Sequence, residues 1–93
     1  MITNALRQTL HHRVAATKDA RERLLAELVK TPSDNPPGDC SPFALQAATL
    51  LEGLGFAVER HAVPQDAARA VGMVSATNLI VRHRFADGPT IAL

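Results

Sequence analysis

The chain's four histidines, single cysteine and scattered serines are the side chains whose chemistry could carry a reaction. A catalytic zinc site needs three protein ligands converging on an open position, and the sequence holds no Cys-x-x-Cys, His-Glu-x-x-His or His-x-Asp spacing to supply them. His11 and His12 are neighbours in a helical stretch and point in different directions, so they cannot chelate together. His61 and His83 fall in two strand-like segments. They could meet as a cross-strand ligand pair, or simply face solvent, since no carboxylate completes a site at a clear spacing.

Covalent catalysis finds no better footing. Cys40 lies just ahead of a helix start, where a thiol can be activated, yet no partner base accompanies it and it reads as a structural thiol. Ser33, Ser41 and Ser75 lack the Gly-x-Ser-x-Gly setting of a nucleophile elbow. Gly53 and Gly55 follow a helix instead of opening one, which makes them a terminator and not a phosphate loop. The residues themselves therefore assign no catalytic, cofactor-binding or metal-ligating position.

The elements that would position a site are clearer. From about Thr3 to Lys30, Leu6, Leu10, Val14, Leu24, Leu25 and Leu28 fall within one arc of a helical wheel, predicting one long amphipathic helix. Thr17 and Arg21 interrupt that stripe. A break between Ala16 and Asp19, with Asp19 capping the second half, is the alternative. Pro32 ends the helix, because the residue before a proline is driven out of the α region. Thr31–Asp39 is a turn-rich connection containing Asn35-Pro36-Pro37-Gly38.

Ser41 as N-cap and Pro42 in the first turn predict a second helix, with Phe43, Ala47, Leu50, Leu51 and Leu54 as its apolar stripe and Gly55 as its left-handed stop. Phe56–Val63 alternates as a strand should. Pro64–Thr77 is a long connection with a turn of helix at Asp66–Ala70, and Asn78–Phe85 is a second strand. After the turn at Ala86–Pro89, Thr90–Leu93 reads as a third strand, apolar after Thr90 as in strands covered on both faces. Such a strand needs neighbours on both edges, so the reading expects the polypeptide to continue past Leu93.

Composition narrows the function classes. The 93 residues suit one domain at most, here taken as 1–93 with no internal boundary. At 46 % hydrophobic and 20 % charged, the chain has a folded domain's balance. A net charge of +1 and only three aromatic residues argue against nucleic-acid binding, which uses a basic face and stacking platforms. No apolar run approaches the roughly 20 residues that cross a bilayer, and no secretory signal opens the chain. One cysteine excludes an intrachain disulfide and fits a reducing compartment, so a cytoplasmic location is expected.

Read in order, Leu24–Ser33, Asn35–Gly38, Leu50–Glu59, Asn78–Arg82 and Gly88–Leu93 resemble one family. That family is the acetylornithine deacetylase, succinyl-diaminopimelate desuccinylase and aminoacylase group of zinc metallopeptidases. The resemblance covers about residues 20–93. It implies an α/β fold in which this segment supplies two helices and three strands to the first part of a three-layer, mixed-sheet catalytic domain of the zinc-exopeptidase type.

It also implies two zinc ions that polarise an amide carbonyl and activate water, and substrates that are N-acyl amino acids or small peptides with a free carboxylate. A homodimer through a lid domain is a further implication. The family's metal ligands follow the strand matched by Thr90–Leu93, so none carries over to a residue here. By itself the segment is expected to be inactive and to bind no zinc, with the remainder of the catalytic domain as its partner.

The alternative reading is a complete small α/β module that binds a partner and catalyses nothing. Two structural expectations follow. In the family the first two strands pair antiparallel and a later strand intervenes before the third, whereas the Asp87-Gly88 turn on its own suggests a hairpin of Asn78–Phe85 with Thr90–Leu93. Pro89 immediately after Gly88 spoils a tight hairpin and the third strand reads as central, so the family pairing is expected. If more of a domain is to be met, Ile91, Leu93 and part of the Leu6, Leu10 and Val14 stripe should lie exposed.

Overall fold

The computed structural model describes Ile2 to Leu93, and the chain divides into two compact units, Met1–Thr31 and Pro32–Leu93. Among the described residues the elements are four helices and one two-stranded antiparallel sheet, a small α/β arrangement.

The first unit is helical. Helix α1 spans Asn4–Ala16 and α2 spans Lys18–Val29. Thr3 caps α1 by accepting the Leu6 N–H at 3.1 Å, which satisfies one of the donors a helix start leaves free. The single long helix expected from the apolar stripe is instead two segments meeting at Thr17. The Thr17 hydroxyl donates back to the Arg13 carbonyl at 3.1 Å, and the Arg21 guanidinium takes the Val14 carbonyl at 2.8 Å and Thr17 Oγ1 at 2.9 Å.

Side chains thus compete with the helical ladder for carbonyls of the preceding turn, a known cause of local distortion. The ladder resumes at once, with the Arg21 N–H on the Thr17 carbonyl at 3.0 Å. Asp19 lies in the first turn of α2 and is not its cap. No helix among the described residues is long and apolar enough to cross a membrane.

The second unit begins with the proline-rich turn. The Gly38 N–H donates to the Asp34 carbonyl at 2.8 Å, and the Asn35–Pro36 and Pro36–Pro37 peptide bonds are cis. Helix α3 runs from Ser41 to Gly53. It closes as expected on Gly55 with φ of +96°: the Gly55 N–H reaches the Glu52 carbonyl at 2.9 Å and the Phe56 N–H reaches Leu51 at 3.2 Å. Those are the paired bonds of a Schellman stop. The short helix α4, Gln65–Ala70, ends in the same way on Gly72, with Gly72 on Arg69 at 3.0 Å and Met73 on Ala68 at 2.9 Å.

Strands β1, Val58–Ala62, and β2, Thr77–Val81, pair antiparallel with Val58 opposite Val81, Arg60 opposite Leu79 and Ala62 opposite Thr77. Helix α3 packs across both. Strand alternation puts Val58, Arg60, Leu79 and Thr77 on the face toward α3, where an Arg60–Glu52 ion pair and a Thr77–Ser41 hydrogen bond join sheet to helix. Glu59, His61, Asn78 and Ile80 occupy the other face.

Two strand expectations need correction. The second strand stops at Val81, short of Phe85, because the residues that would extend the ladder on the β1 side belong to the turn leaving α3. Arg82 and Arg84 make ion pairs with Glu59 and Asp87 instead. Thr90–Leu93, expected as a third strand, joins no ladder among the described residues, so the observed sheet has two strands and not three. Backbone polar groups in an extended segment become a strand only against a partner edge, and β1 and β2 pair with each other. The turn at Gly88 accordingly makes no hairpin with β2.

The core is small. Ala44, Ala48 and Ala68 are the buried hydrophobic residues among those described. The larger α3 side chains Phe43, Leu50 and Leu51 are only partly covered, and Leu54, taken from sequence as part of the buried stripe, is exposed. Ile91 and Leu93 are exposed, as are Leu6, Leu10 and Val14 in the first unit.

Candidate functional site

The densest polar cluster of the second unit joins the proline-rich turn to the segment entering β2. The Gly38 carbonyl accepts the N–H groups of Val74 at 3.0 Å and Ser75 at 3.2 Å, and the Cys40 N–H donates to the Ser75 carbonyl at 3.1 Å. Asp39 and Ser75 thereby form a one-residue parallel bridge. The Ser75 hydroxyl donates to Asp39 Oδ1 at 2.5 Å and accepts the Ser41 N–H at 3.1 Å. The Ser41 hydroxyl in turn lies 2.9 Å from Thr77 Oγ1.

This wiring corrects the expected cap. Ser41 is the first residue of α3, its side chain is engaged with Thr77, and the Cys40 side chain makes no capping bond. The free donor at the helix start is satisfied by Ser75, a residue 34 positions away. Chemically, the Asp39–Ser75 pair is a carboxylate accepting a hydroxyl proton. The hydrogen-bond partners of Ser75 are a carboxylate and a backbone amide, with no imidazole or amine between them to activate the hydroxyl. The cluster is a latch that fixes the turn and the start of α3. Cys40, half-buried beside it, points its thiol at the Ser33 carbonyl across 3.7 Å.

The other candidate residues do not converge. His11 and His12 are exposed on α1. His61 pairs with Asn78 in the ladder, and His83 lies beyond the end of β2 at Val81, outside the ladder that would have set it across from His61. The cross-strand ligand pair is therefore ruled out by register. His83 packs edge-on against Phe56 and Phe85, with ring centroids 5.8 and 4.4 Å away. Among the described residues no three His, Cys, Asp or Glu side chains are placed to hold a metal ion.

His61 instead meets Glu59, Nε2 to Oε2 at 3.2 Å, and Glu59 also pairs with Arg82. The hydrogen bond from His61 foremost holds the Glu59 carboxyl below the usual glutamate range; desolvation opposes it next, and the Arg82 charge and hydrogen bond add to the lowering. A depressed folded-state value means that this contribution to stability is present above the carboxyl's unfolded titration range and is lost as pH falls through the folded value. The Glu59 side chain is 42 % exposed, so water screens the effect. The expected NMR result is a Glu59 carboxyl midpoint lower in the folded protein than in urea, moving upward in His61→Ala. An unchanged midpoint in that variant would show that the contact does not persist in solution.

Sequence reading missed the latch. It treated Ser75 only as a serine without a nucleophile motif and did not single out Thr77, and the contacts that give them a role span 34 to 36 residues. Comparison with protein-family models, with curated proteins and with solved structures finds no match to this chain in any of the three.

Proposed function

We propose that this chain forms the N-terminal part of the catalytic domain of a zinc-dependent amidohydrolase or metallopeptidase, which cleaves the amide bond of N-acyl amino acids or small peptides carrying a free carboxylate. The reading is supported by the order and pairing of elements. A helix stops at Val29, just ahead of Pro32, an Asn-Pro-Pro-Gly-Asp turn follows, α3 ends on Gly-Leu-Gly-Phe, and two strands pair antiparallel beneath it. The antiparallel β1–β2 pair is the observation that carries most weight, because it is the pairing of the first two strands that the resemblance implies.

Among the described residues the donor set does not suit zinc: the histidines are dispersed and no three His, Cys, Asp or Glu side chains converge. In this reading the two ions and their ligands belong to sequence beyond Leu93, with the rest of the catalytic domain as the segment's partner and the cytoplasm as its location. The segment's own contribution is positional. The Gly38–Ser75 latch holds the proline-rich turn, and α3 backs the strand pair from one side.

The test uses the full reading frame. Purified, metal-stripped and reloaded with zinc, the protein should release free amino acid from a panel of N-acetyl amino acids and lose that activity to a chelator. A reading frame with no His-x-Asp segment after Leu93, or a zinc-loaded protein inert toward the whole panel, would overturn the proposal and favour a partner-binding module.

A further inference from the structure

Helix α1 carries cations and no anions. Between Asn4 and Ala16 stand Arg7, His11, His12 and Arg13, and the first acidic residue of the chain is Asp19. Every residue of the helix is exposed. Elsewhere Lys18, Lys30, Arg60, Arg82 and Arg84 each meet a carboxylate, and Arg21 is held by the Val14 carbonyl. Arg7 and Arg13 meet no carboxylate among the described residues.

The two arginines border an apolar strip. Leu6, Leu10 and Val14 follow at intervals of four and span an arc of about 80° on a helix that turns ~100° per residue. Arg13 lies about 20° beyond Leu6 and Arg7 about 20° beyond Val14, so a cation stands at each edge. The three strip residues are 47 %, 46 % and 56 % exposed, and all of them precede the junction at Thr17. An open groove of about 310 Å³ runs along the Arg7 side, lined by Ile2, Arg7, Leu10, His11 and Val14.

We propose that α1 lies flat on an anionic lipid surface, its strip against the acyl chains and Arg7 and Arg13 on the headgroup phosphates. Charge and side-chain shape together choose this partner. Arginine stems bordering an aliphatic strip follow it downward while their guanidinium heads turn out to the phosphates. A protein groove would have little to grip, because α1 contains no aromatic anchor. Nucleic acid would match the charge but leave the strip in water, and no ring is present on the helix to stack a base. The strip is narrow and the cations are few, so the binding is reversible and needs anionic lipid. Lying on a surface requires no membrane-crossing segment, and α1 is too short to be one. The sequence reading expected the rest of the same chain to meet this stripe; the unpaired arginines at its edges assign it to lipid. The inference does not depend on the hydrolase reading.

The experiment is co-sedimentation of the full reading frame with vesicles, either phosphatidylcholine alone or an equimolar mixture with phosphatidylserine, with circular dichroism confirming that each variant keeps its helix content. The protein should bind the mixed vesicles, bind the neutral ones at least about tenfold more weakly, and lose affinity as salt is raised. Arg7→Gln and Arg13→Gln together should weaken binding by roughly tenfold or more, because each cation near an anionic surface strengthens it several-fold. Leu10→Gln, which keeps the charge and removes the centre of the strip, should also weaken it by roughly fivefold or more. Arg69→Gln, a cation on α4, should change it by less than about twofold. Absence of binding to either vesicle, which would mean that the strip is covered within the chain or by another protein, overturns the proposal. So does equal binding to neutral and anionic vesicles, a double arginine variant no weaker than Arg69→Gln, or binding indifferent to Leu10→Gln.

Discussion

Replacing Gly38 with alanine is expected to destabilise the Pro32–Leu93 unit by roughly 2–4 kcal/mol, from a strained backbone and an occupied space together. Gly38 has φ of +74°, a conformation that costs an L-residue about 1–2 kcal/mol. A Cβ there would also stand 3.1 Å from Asn35 Oδ1 and 3.2 Å from the Met73 Cα. The amide side chain can swing away, but the Met73 backbone cannot move freely, because its N–H is bonded to the Ala68 carbonyl at the end of α4.

Gly38 also carries the latch, accepting from Val74 and Ser75, so any shift that relieves the clash strains those bonds. Two other glycines separate the causes. Gly55→Ala meets open space at φ of +96° and should show the backbone cost alone, about 1 kcal/mol. Gly53→Ala, in the last turn of α3 with nothing near its added methyl, should be neutral or stabilising by up to about 1 kcal/mol. Urea denaturation of the three variants measures the series. Equal losses for Gly38→Ala and Gly55→Ala would show that the Met73 contact gives way without cost.

That series also marks the boundary of what the sequence makes legible. Helix stops, starts near prolines and strand-like runs depend on neighbours in the chain, and those came through: α2 stops ahead of Pro32, Gly55 closes α3, and the Asp66–Ala70 turn forms most of α4. The failures at Ser41 and at Arg82–Phe85 are cases in which a distant partner decides. Ser41 was expected to cap α3 because serine usually does, but Ser75 and Thr77 occupy the bonding positions around it. Arg82–Phe85 was expected to extend a strand, but ladder length is set by the partner, and the chain before Val58 is turning out of α3.

Thr17 is an intermediate case. Its mismatch with the apolar stripe was visible, yet the consequence depends on the Arg21 head reaching back to the Val14 carbonyl, which periodicity does not encode. The histidines show the same limit for function. Two strand histidines could have met across a ladder, and only the register, with Asn78 opposite His61, separates them.

Enlarging Ala48 to leucine is expected to cost about 1–3 kcal/mol even though it adds apolar surface. Ala48 is fully inaccessible and Ala44, one turn earlier, is 8 % exposed, so two small residues form the line along which α3 lies on the strands. Small side chains let backbones approach closely, and the larger neighbours Phe43, Leu50 and Leu51 then cover the flanks of that contact. A leucine at the centre has no void to fill, so it must lift α3 from β1 and β2 or adopt a poor rotamer.

Lifting the helix would loosen the Ser41–Thr77 hydrogen bond and the Arg60–Glu52 ion pair at its two ends, and both contacts are reporters. The expected result is a lower denaturation midpoint with faster amide exchange across Val58–Ala62. Leu45→Ala, on the exposed side of the same helix, should stay within about 0.5 kcal/mol of the parent. Should Ala48→Leu instead stabilise the protein, transfer of the added carbons from water would have outweighed any crowding, and α3 would have to sit further from the sheet than the burial of Ala48 requires.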